Sequence, residues 1–243
     1  MTYCVAISLD AGLIFASDSR TNAGVDRVSR FSKMRTFVLD GERVIVTLSA
    51  GNLSLTQNAI GLLEQRGRAI DGEINMWNAT SMYDVAVLVG DVVREVKHRD
   101  GPYLLENRIP SNANFLVGGQ IKGEVPRLFE VYSDGDFTEA TPDTCYFQMG
   151  ESKYGKPVLD RVLERTTSLV EATKCTLVSF DSTMRSNISV GLPIDLVIYE
   201  ADALTVRLQR RVDETDAYFQ MVHAQWGAGL RRVFAELPAP DWT

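Results

Sequence analysis

The sequence predicts an α+β fold in which two antiparallel sheets pack together and are covered by helices. Residues 3–48 carry short apolar segments with a period of two and turn signals between them, as antiparallel strands do. Longer segments, whose apolar residues recur every three or four positions, predict helices. Strands and helices come in blocks and not in βαβ alternation, which argues against a doubly wound nucleotide-binding fold.

Two β-hairpins are predicted near the N-terminus. Asp10-Ala11-Gly12 and Asp40-Gly41 are turn sequences, each flanked by apolar, β-prone segments. The strands that they connect are predicted at residues 3–9, 13–17, 35–39 and 43–48. The apolar period changes after Gly51, where Asn52 or Ser54 suits the start of a first helix.

The remaining elements follow from the same two periodicities. Thr80 or Ser81 is expected to cap a second helix. Helices are predicted at 82–98, 156–165, 168–185 and 214–237, and strands at 114–119, 127–132, 145–149, 192–200 and 203–210. The helix at 214–237 is amphipathic and is appended to the C-terminus. Because we find no internal repeat and no Pro/Ser-rich linker, we expect a single domain over residues 1–243.

Composition argues against several classes of function. The net charge of −7 and the pI near 5.0 argue against nucleic acid as a main partner. No apolar run approaches the ~20 residues of a membrane span, and the start lacks a secretory signal, so we expect a cytoplasmic protein without a membrane partner. Cys4, Cys145 and Cys175 are expected to be buried and reduced. With only His98 and His223, which we interpret as structural, we predict no metal site and no cofactor.

Three polar residues interrupt the N-terminal β region: Thr2, Asp18 and Lys33. Methionine aminopeptidases remove Met before small residues, so we expect Met1 to be lost and Thr2 to become the N-terminus. The α-amine of such a residue has a pKa near ~8 and can accept the proton of the hydroxyl, so no histidine is required. A nearby lysine ammonium disfavours protonation of the amine, and a buried aspartate can hold the lysine. Each residue alone has an ordinary structural explanation; their combination and spacing point to an N-terminal nucleophile.

The N-terminal region resembles the catalytic β-subunits of the proteasome. The matching segments are Thr2, the turn 10–12, the strand 13–16, Ser17-Asp18-Ser19-Arg20-Thr21, Lys33 and Ser49-Ala50-Gly51. The spacing from Thr2 to Asp18 agrees residue for residue, and Lys33 agrees within one residue. Over its full length, the chain looks most like Anbu, the bacterial proteasome-related family. This resemblance implies an Ntn-hydrolase fold, a four-layer αββα sandwich of two antiparallel sheets flanked by helices, with an extra C-terminal helix.

The resemblance also implies roles for single residues. Thr2 would be the nucleophile and its amine the general base, Lys33 the electrostatic activator and Asp18 the residue that orients Lys33. The backbone N–H of Gly51 would donate to the oxyanion of the tetrahedral intermediate. The residues that would border the pocket for the substrate residue before the cut are Thr21, Arg35, Ser49 and Leu53.

Two segments depart from the family pattern. Where the family has Gly-Ser-Gly, with its serine bonded to the Thr amine, this chain has Gly150-Glu151-Ser152. Either Ser152 takes that role one residue late, or Glu151 occupies the position as a carboxylate. The second motif keeps Ser189 but has Ser186 where an aspartate is usual. In the family pattern, both positions belong to the network that tunes the basicity of the N-terminal Thr amine. We therefore expect low activity or an unusual substrate.

Three functions are compatible with the sequence. The first is a threonine peptidase that hydrolyses peptides or unfolded proteins inside a homo-oligomeric ring or open-ring stack; the sequence leaves open an ATPase partner. The second is an Ntn amidohydrolase that acts on a small amide or a peptide conjugate. The third is a catalytically quiet, ring-forming scaffold.

Overall fold

The structure is a computed structural model that describes residues 2–22, 28–67 and 72–242. The strands in these residues are β1 (Tyr3–Leu9), β2 (Gly12–Asp18), β3 (Arg20–Asn22), β4 (Val28–Arg30), β5 (Met34–Leu39), β6 (Arg43–Gly51), β7 (Ala113–Ile121), β8 (Arg127–Val131), β9 (Phe137–Glu139), β10 (Tyr146–Gly150), β11 (Ile194–Glu200) and β12 (Leu208–Val212). The helices are α1 (Leu53–Arg66), α2 (Met82–Glu106), α3 (Lys156–Val162), α4 (Leu169–Ser186) and α5 (Ala217–Glu236).

Two antiparallel sheets form the centre of the molecule. One has the strand order β10-β1-β2-β11-β12 and the other β5-β6-β7-β8-β9. Their facing sides share a buried apolar cluster that includes Phe15, Leu48 and Leu116. Helices α1 and α2 pack on the outer face of the second sheet, and α3, α4 and α5 pack on the outer face of the first. This arrangement confirms the predicted four-layer αββα fold.

Strands buried on both faces explain the strongly apolar N-terminal segments. In β1, Val5 and Ile7 contact the helical layer, whereas Cys4 and Ala6 point towards the other sheet. Successive side chains of a strand point to opposite faces, so an inner strand of a four-layer fold needs apolar residues at nearly every position. Polar residues within such a strand, such as Asp18 at the end of β2, therefore need a specific partner.

Strand pairing brings the candidate residues to one end of the sandwich. β1 and β2 are antiparallel, so Thr2, before β1, lies near the end of β2. β5 and β6 are also antiparallel, which places Lys33, before β5, near the end of β6. Gly150 at the end of β10 pairs with Tyr3. Residues far apart in the sequence thus converge because of the register of two sheets.

Several predicted boundaries were wrong. α2 continues past His98 to Glu106 and includes Pro102. The added turns are stabilised because Leu104 packs against the core. The last hairpin is shifted: β12 begins at Leu208 and not near residue 203. The intervening loop is held by hydrogen bonds from the Asp202 amide to Gln120 and from the Leu204 amide to the Tyr199 hydroxyl. The short strands β3, β4 and β9 were not predicted from the sequence.

The helix caps agree with local rules. Asn52 accepts from the amides of Ser54 and Leu55 at the start of α1, and Ser81, not Thr80, caps α2. In the described part of the chain, no helix combines the length and the apolar character that a membrane crossing requires.

Candidate active site

A buried ion pair between Lys33 and Asp18 is the centre of the candidate site. The Lys33 ammonium lies 2.7 Å from Oδ1 of Asp18, and the two side chains are 6% and 0% exposed. The same ammonium donates to the carbonyl oxygens of Asp18 at 3.1 Å and of Arg20 at 2.7 Å. These three acceptors match the three N–H bonds of a charged lysine. The ammonium is therefore held in a fixed position by three acceptors.

Asp18 also fixes the backbone next to Thr2. Its Oδ1 accepts the backbone N–H of Tyr3 at 3.0 Å, and the carbonyl oxygen of Thr2 accepts the N–H of Glu151 at 2.8 Å. Hydrogen bonds on both sides therefore hold the start of β1 in one position. Met1, whose removal we expect from the sequence, lies outside the described residues.

The charges of the pair depend on each other. Burial raises the pKa of the Asp18 carboxyl, while the Lys33 ammonium and the Tyr3 amide act in the opposite direction. A buried carboxylate is costly unless it is paired, and the same holds for a buried ammonium. Removing either residue would leave the charge of the other buried without its ion-pair partner.

Thr2 lies at the junction of two clefts. The first cleft has a volume of about 280 Å³ and is lined by Thr2 and, among others, by all four residues predicted to border the substrate pocket: Thr21, Arg35, Ser49 and Leu53. The second cleft, of about 370 Å³, shares Thr2, Thr21 and Gly51 with the first and is closed by Asn112, Asn114 and Gly150. A substrate could therefore extend to either side of Thr2.

The turn at Gly51 connects β6 to α1 beside Thr2. Gly51 has a φ of +115°, and a methyl group added there would lie 2.3 Å from the carbonyl oxygen of Asn112. Asn52 donates its backbone N–H to that same carbonyl at 2.8 Å. The turn therefore requires glycine, both for its backbone conformation and for the close approach of the neighbouring strand. Helix α1 begins two residues later, so its positive end adjoins the clefts.

Glu151 and Ser152 occupy different environments. Glu151 is 7% exposed, and its carboxylate accepts the side-chain N–H of Asn187 at 2.6 Å. Ser152 lines a separate cleft together with Tyr146 and Lys156, and lines neither cleft at Thr2. Neither side chain lines a cleft at Thr2, and the contact of this segment with Thr2 is the backbone N–H of Glu151, which donates to the Thr2 carbonyl oxygen.

Ser189 adjoins the hydrogen bond between Asn187 and Glu151 and lines neither cleft at Thr2. Its backbone N–H donates to Oδ1 of Asn187 at 2.9 Å, so Asn187 connects Ser189 to Glu151. Ser186, which stands where the family usually has an aspartate, is exposed at the end of α4. Among the described residues, no group of three or more His, Cys, Asp or Glu side chains is placed to hold a metal ion.

Solved structures with similar chains identify the family. Anbu, the ancestral β-subunit, from Yersinia bercovieri is 51% identical and superposes with a TM-score of 0.93, over 99% of this chain and 100% of that one. The helical assembly of the Anbu complex from Pseudomonas aeruginosa is 50% identical, with a TM-score of 0.93 and 98% coverage of both chains. The chain belongs to the Anbu family. A Gly-1 mutant of Anbu from Hyphomicrobium sp. strain MC1 is similarly close, at 47% identity and a TM-score of 0.93 over 99% of this chain and 100% of that one.

Membership of Anbu confirms the resemblance inferred from the N-terminal motifs and the predicted proteasome-like Ntn fold. No protein-family model and no curated protein sequence matches the chain. The family is proteasome-related, and the assignments of Thr2, Asp18, Lys33, Gly51, Ser152 and Ser189 as catalytic residues stay predictions.

Residues that the sequence did not single out also adjoin this site in the Anbu chain. Asn187 is the partner of Glu151, Glu64 of α1 lines the first cleft, and Asn112 and Asn114 close the second. Only Asn187 carried a signal, because it lies inside the motif that departs from the proteasome pattern. Glu64 has the spacing of an ordinary exposed helix position, so periodicity alone cannot assign it to a cleft.

We expect Gly51→Ala to damage both the turn and hydrolysis. The added methyl group collides with Asn112, and a positive φ costs a non-glycine residue about 1–3 kcal/mol. If the Gly51 N–H stabilises the oxyanion, displacing it should lower kcat by about 10²–10³-fold. Peptide hydrolysis and urea unfolding of the same preparation measure the two effects.

Gly41→Ala is the matched control. Gly41 also has a positive φ, of +76°, but nothing lies within 4 Å of an added methyl group. This variant should lose about 1 kcal/mol of stability through backbone strain and keep its kcat. Unchanged kcat in a folded Gly51→Ala protein would contradict the role of the Gly51 amide.

Proposed function

We propose that this Anbu chain is an N-terminal-threonine hydrolase that cleaves peptide bonds inside a homo-oligomeric assembly. The observation that carries the proposal is the buried Lys33–Asp18 pair, held by three hydrogen bonds of the ammonium beside the start of β1. A charged pair at this depth costs stability unless it is compensated, and a site that needs a fixed positive charge accounts for it.

The mechanism begins with Thr2 after removal of Met1. The Thr2 hydroxyl attacks the substrate carbonyl while the free α-amine accepts the hydroxyl proton, which forms a tetrahedral intermediate. The Gly51 N–H donates to its oxyanion. Collapse breaks the C–N bond, and the protonated amine gives its proton to the departing nitrogen. Water then hydrolyses the ester on Thr2, with the same amine as base.

Lys33 supplies electrostatic stabilisation without exchanging protons in this scheme. Its three N–H bonds are already donated to fixed acceptors, so none is left to transfer a proton to the substrate. A fixed positive charge disfavours protonation of the nearby amine and favours negative charge on the attacking oxygen. Asp18 prevents the long lysine side chain from leaving this position.

Self-assembly is the second part of the proposal. The related protein from Pseudomonas aeruginosa is described as a helical assembly of the Anbu complex. In this chain, the distal half of α5 exposes large apolar side chains, including Leu230 at 53% and Phe234 at 76%. Such a face is typical of a surface that is covered by a partner. We expect the assembly to be cytoplasmic, with an ATPase partner left open.

One observation favours the alternative of an Ntn amidohydrolase acting on a small amide. The buried Glu151 carboxylate stands where proteasome subunits have a neutral serine, and it is only partly compensated by the exposed Lys153, whose Nζ lies 3.6 Å from it. A carboxylate near an amine favours protonation of that amine, which weakens it as a base at neutral pH. A substrate with a positively charged group would offset this effect.

A peptide epoxyketone tests the proposal, because this warhead reacts with both the hydroxyl and the free α-amine of an N-terminal threonine. We expect intact mass spectrometry to show a chain without Met1 that gains one adduct, mapped to Thr2. A preparation that retains Met1 is the control, since it has no free Thr2 amine and should gain nothing. A processed chain that gains no adduct would contradict the proposal and favour the scaffold.

A further inference from the structure

The first cleft extends along one face of α1. Leu53, Gln57, Ile60 and Glu64 line it, and their spacing of three and four residues places them on a single helical face. Thr2 and Gly51 line the same cleft, so this face of α1 and the start of β1 border one space.

A pair of opposite charges lines this cleft. Arg35, from β5, points across the cleft so that its Nε lies 3.7 Å from Oε1 of Glu64. Both side chains line the cleft, and they are 48% and 45% exposed. Among the described residues lining this cleft, Lys33 is the only other charged side chain, and it is paired with the buried Asp18.

We propose that the Arg35–Glu64 pair determines the charge preference of the first cleft, so that the native site accepts an uncharged substrate residue before the cut. This inference rests on the proposed function and names the substrate class of the same site. A charged side chain entering the cleft would meet one favourable and one unfavourable partner, because Arg35 and Glu64 lie side by side. An uncharged polar side chain leaves the ion pair intact and can use the polar wall formed by Thr21, Ser49 and Gln57.

The proposal predicts opposite effects for two neutral substitutions. Arg35→Gln leaves Glu64 without its partner, and the cleft should then favour a basic residue. Glu64→Gln leaves Arg35 unpaired, and the cleft should then favour an acidic residue. Because the pair is about half exposed, each removed charge should change the preference by only about fivefold, and added salt should reduce the change.

The experiment uses three peptide epoxyketones that differ only in the residue next to the warhead, which is Gln, Glu or Lys. The readout is the second-order rate constant of Thr2 labelling, so substrate turnover is not required. In the native protein, the Gln compound should react fastest. The Lys-to-Gln ratio should rise about fivefold in Arg35→Gln, and the Glu-to-Gln ratio should rise about fivefold in Glu64→Gln.

Two controls separate charge in the cleft from general effects. Glu200→Gln removes a carboxylate from another exposed pair, Arg207–Glu200 at 3.3 Å, which lines no part of the first cleft, and should leave both ratios unchanged. The double exchange Arg35→Glu with Glu64→Arg restores a neutral pair and should return both ratios to within about twofold of the native values.

The outcomes also distinguish this inference from the proposed function. If the native protein, freed of Met1, is labelled by none of the three compounds, the proposed function fails and this inference fails with it. If it is labelled but both ratios stay constant in the two single variants, only the role of Arg35 and Glu64 is overturned. If Glu200→Gln changed the two ratios as much as the cleft variants do, the role of Arg35 and Glu64 would also be overturned.

Discussion

Thr2→Ala, in a chain freed of Met1, is expected to abolish hydrolysis and to leave the fold and the assembly unchanged. The substitution removes the attacking hydroxyl, and loss of a nucleophile typically lowers the rate by about 10⁴-fold or more. No side-chain hydrogen bond of Thr2 is present within the described residues, and Thr2 is only partly buried. The free energy of unfolding should therefore change by less than about 0.5 kcal/mol. Hydrolysis of a quenched peptide and sedimentation velocity measure the two properties.

Thr2→Ser is the matched control, because it keeps both the hydroxyl and the α-amine. We expect measurable hydrolysis in this variant and none in Thr2→Ala. Retained activity in Thr2→Ala would place the nucleophile on another residue. Loss of the assembly in Thr2→Ala would instead show that Thr2 contributes to packing between subunits.

Lys33→Met should lower both the rate and the stability. Removing a preorganised positive charge typically costs about 10²–10³-fold in kcat. If Lys33 were an exposed residue, its replacement would change the rate far more than the stability. Burial of the pair changes that expectation, since Asp18 is 0% exposed and would lose its only cationic partner among the described residues. The variant can fold by protonating Asp18, which limits the loss at pH 7 to about 4 kcal/mol.

This loss of stability has a defined pH dependence. In Lys33→Met, burial raises the pKa of Asp18 above its unfolded value without an opposing ammonium. The folded state then binds the proton more tightly than the unfolded state, so stability is retained at low pH and lost as pH rises. The difference in unfolding free energy from the native protein should therefore grow from pH 5 to pH 7, to at most about 4 kcal/mol. Urea unfolding at both values measures it.

The double variant Asp18→Asn with Lys33→Met removes both charges and controls for this explanation. It should be inactive, yet it should recover part of the stability lost in Lys33→Met and lose the pH dependence between 5 and 7. A Lys33→Met protein that is equally stable at both pH values would contradict the interpretation of Asp18 as an unpaired buried carboxyl.

Sequence patterns predicted best the features that depend on neighbouring residues. The hairpins before Gly51 and the caps at Asn52 and Ser81 depend on short-range turn and capping chemistry, which a single sequence carries. Prediction was weaker after Tyr199, where the loop that precedes β12 is held by contacts with Gln120 from the other sheet. Such contacts join segments about 80 residues apart, and no local pattern encodes them.

By itself, the sequence predicted most strands and helices in their order, two packed antiparallel sheets covered by helices, and Thr2, Asp18 and Lys33 as a candidate N-terminal nucleophile site. These depend on periodicity and on spacing along the chain. Only the tertiary structure decided that Glu151, not Ser152, is buried beside the Thr2 backbone, and that Glu64 faces Arg35 across a cleft. A shift of one residue reverses the direction of a side chain in or next to a strand, so sheet register and helix packing, and not composition, determine which polar groups meet.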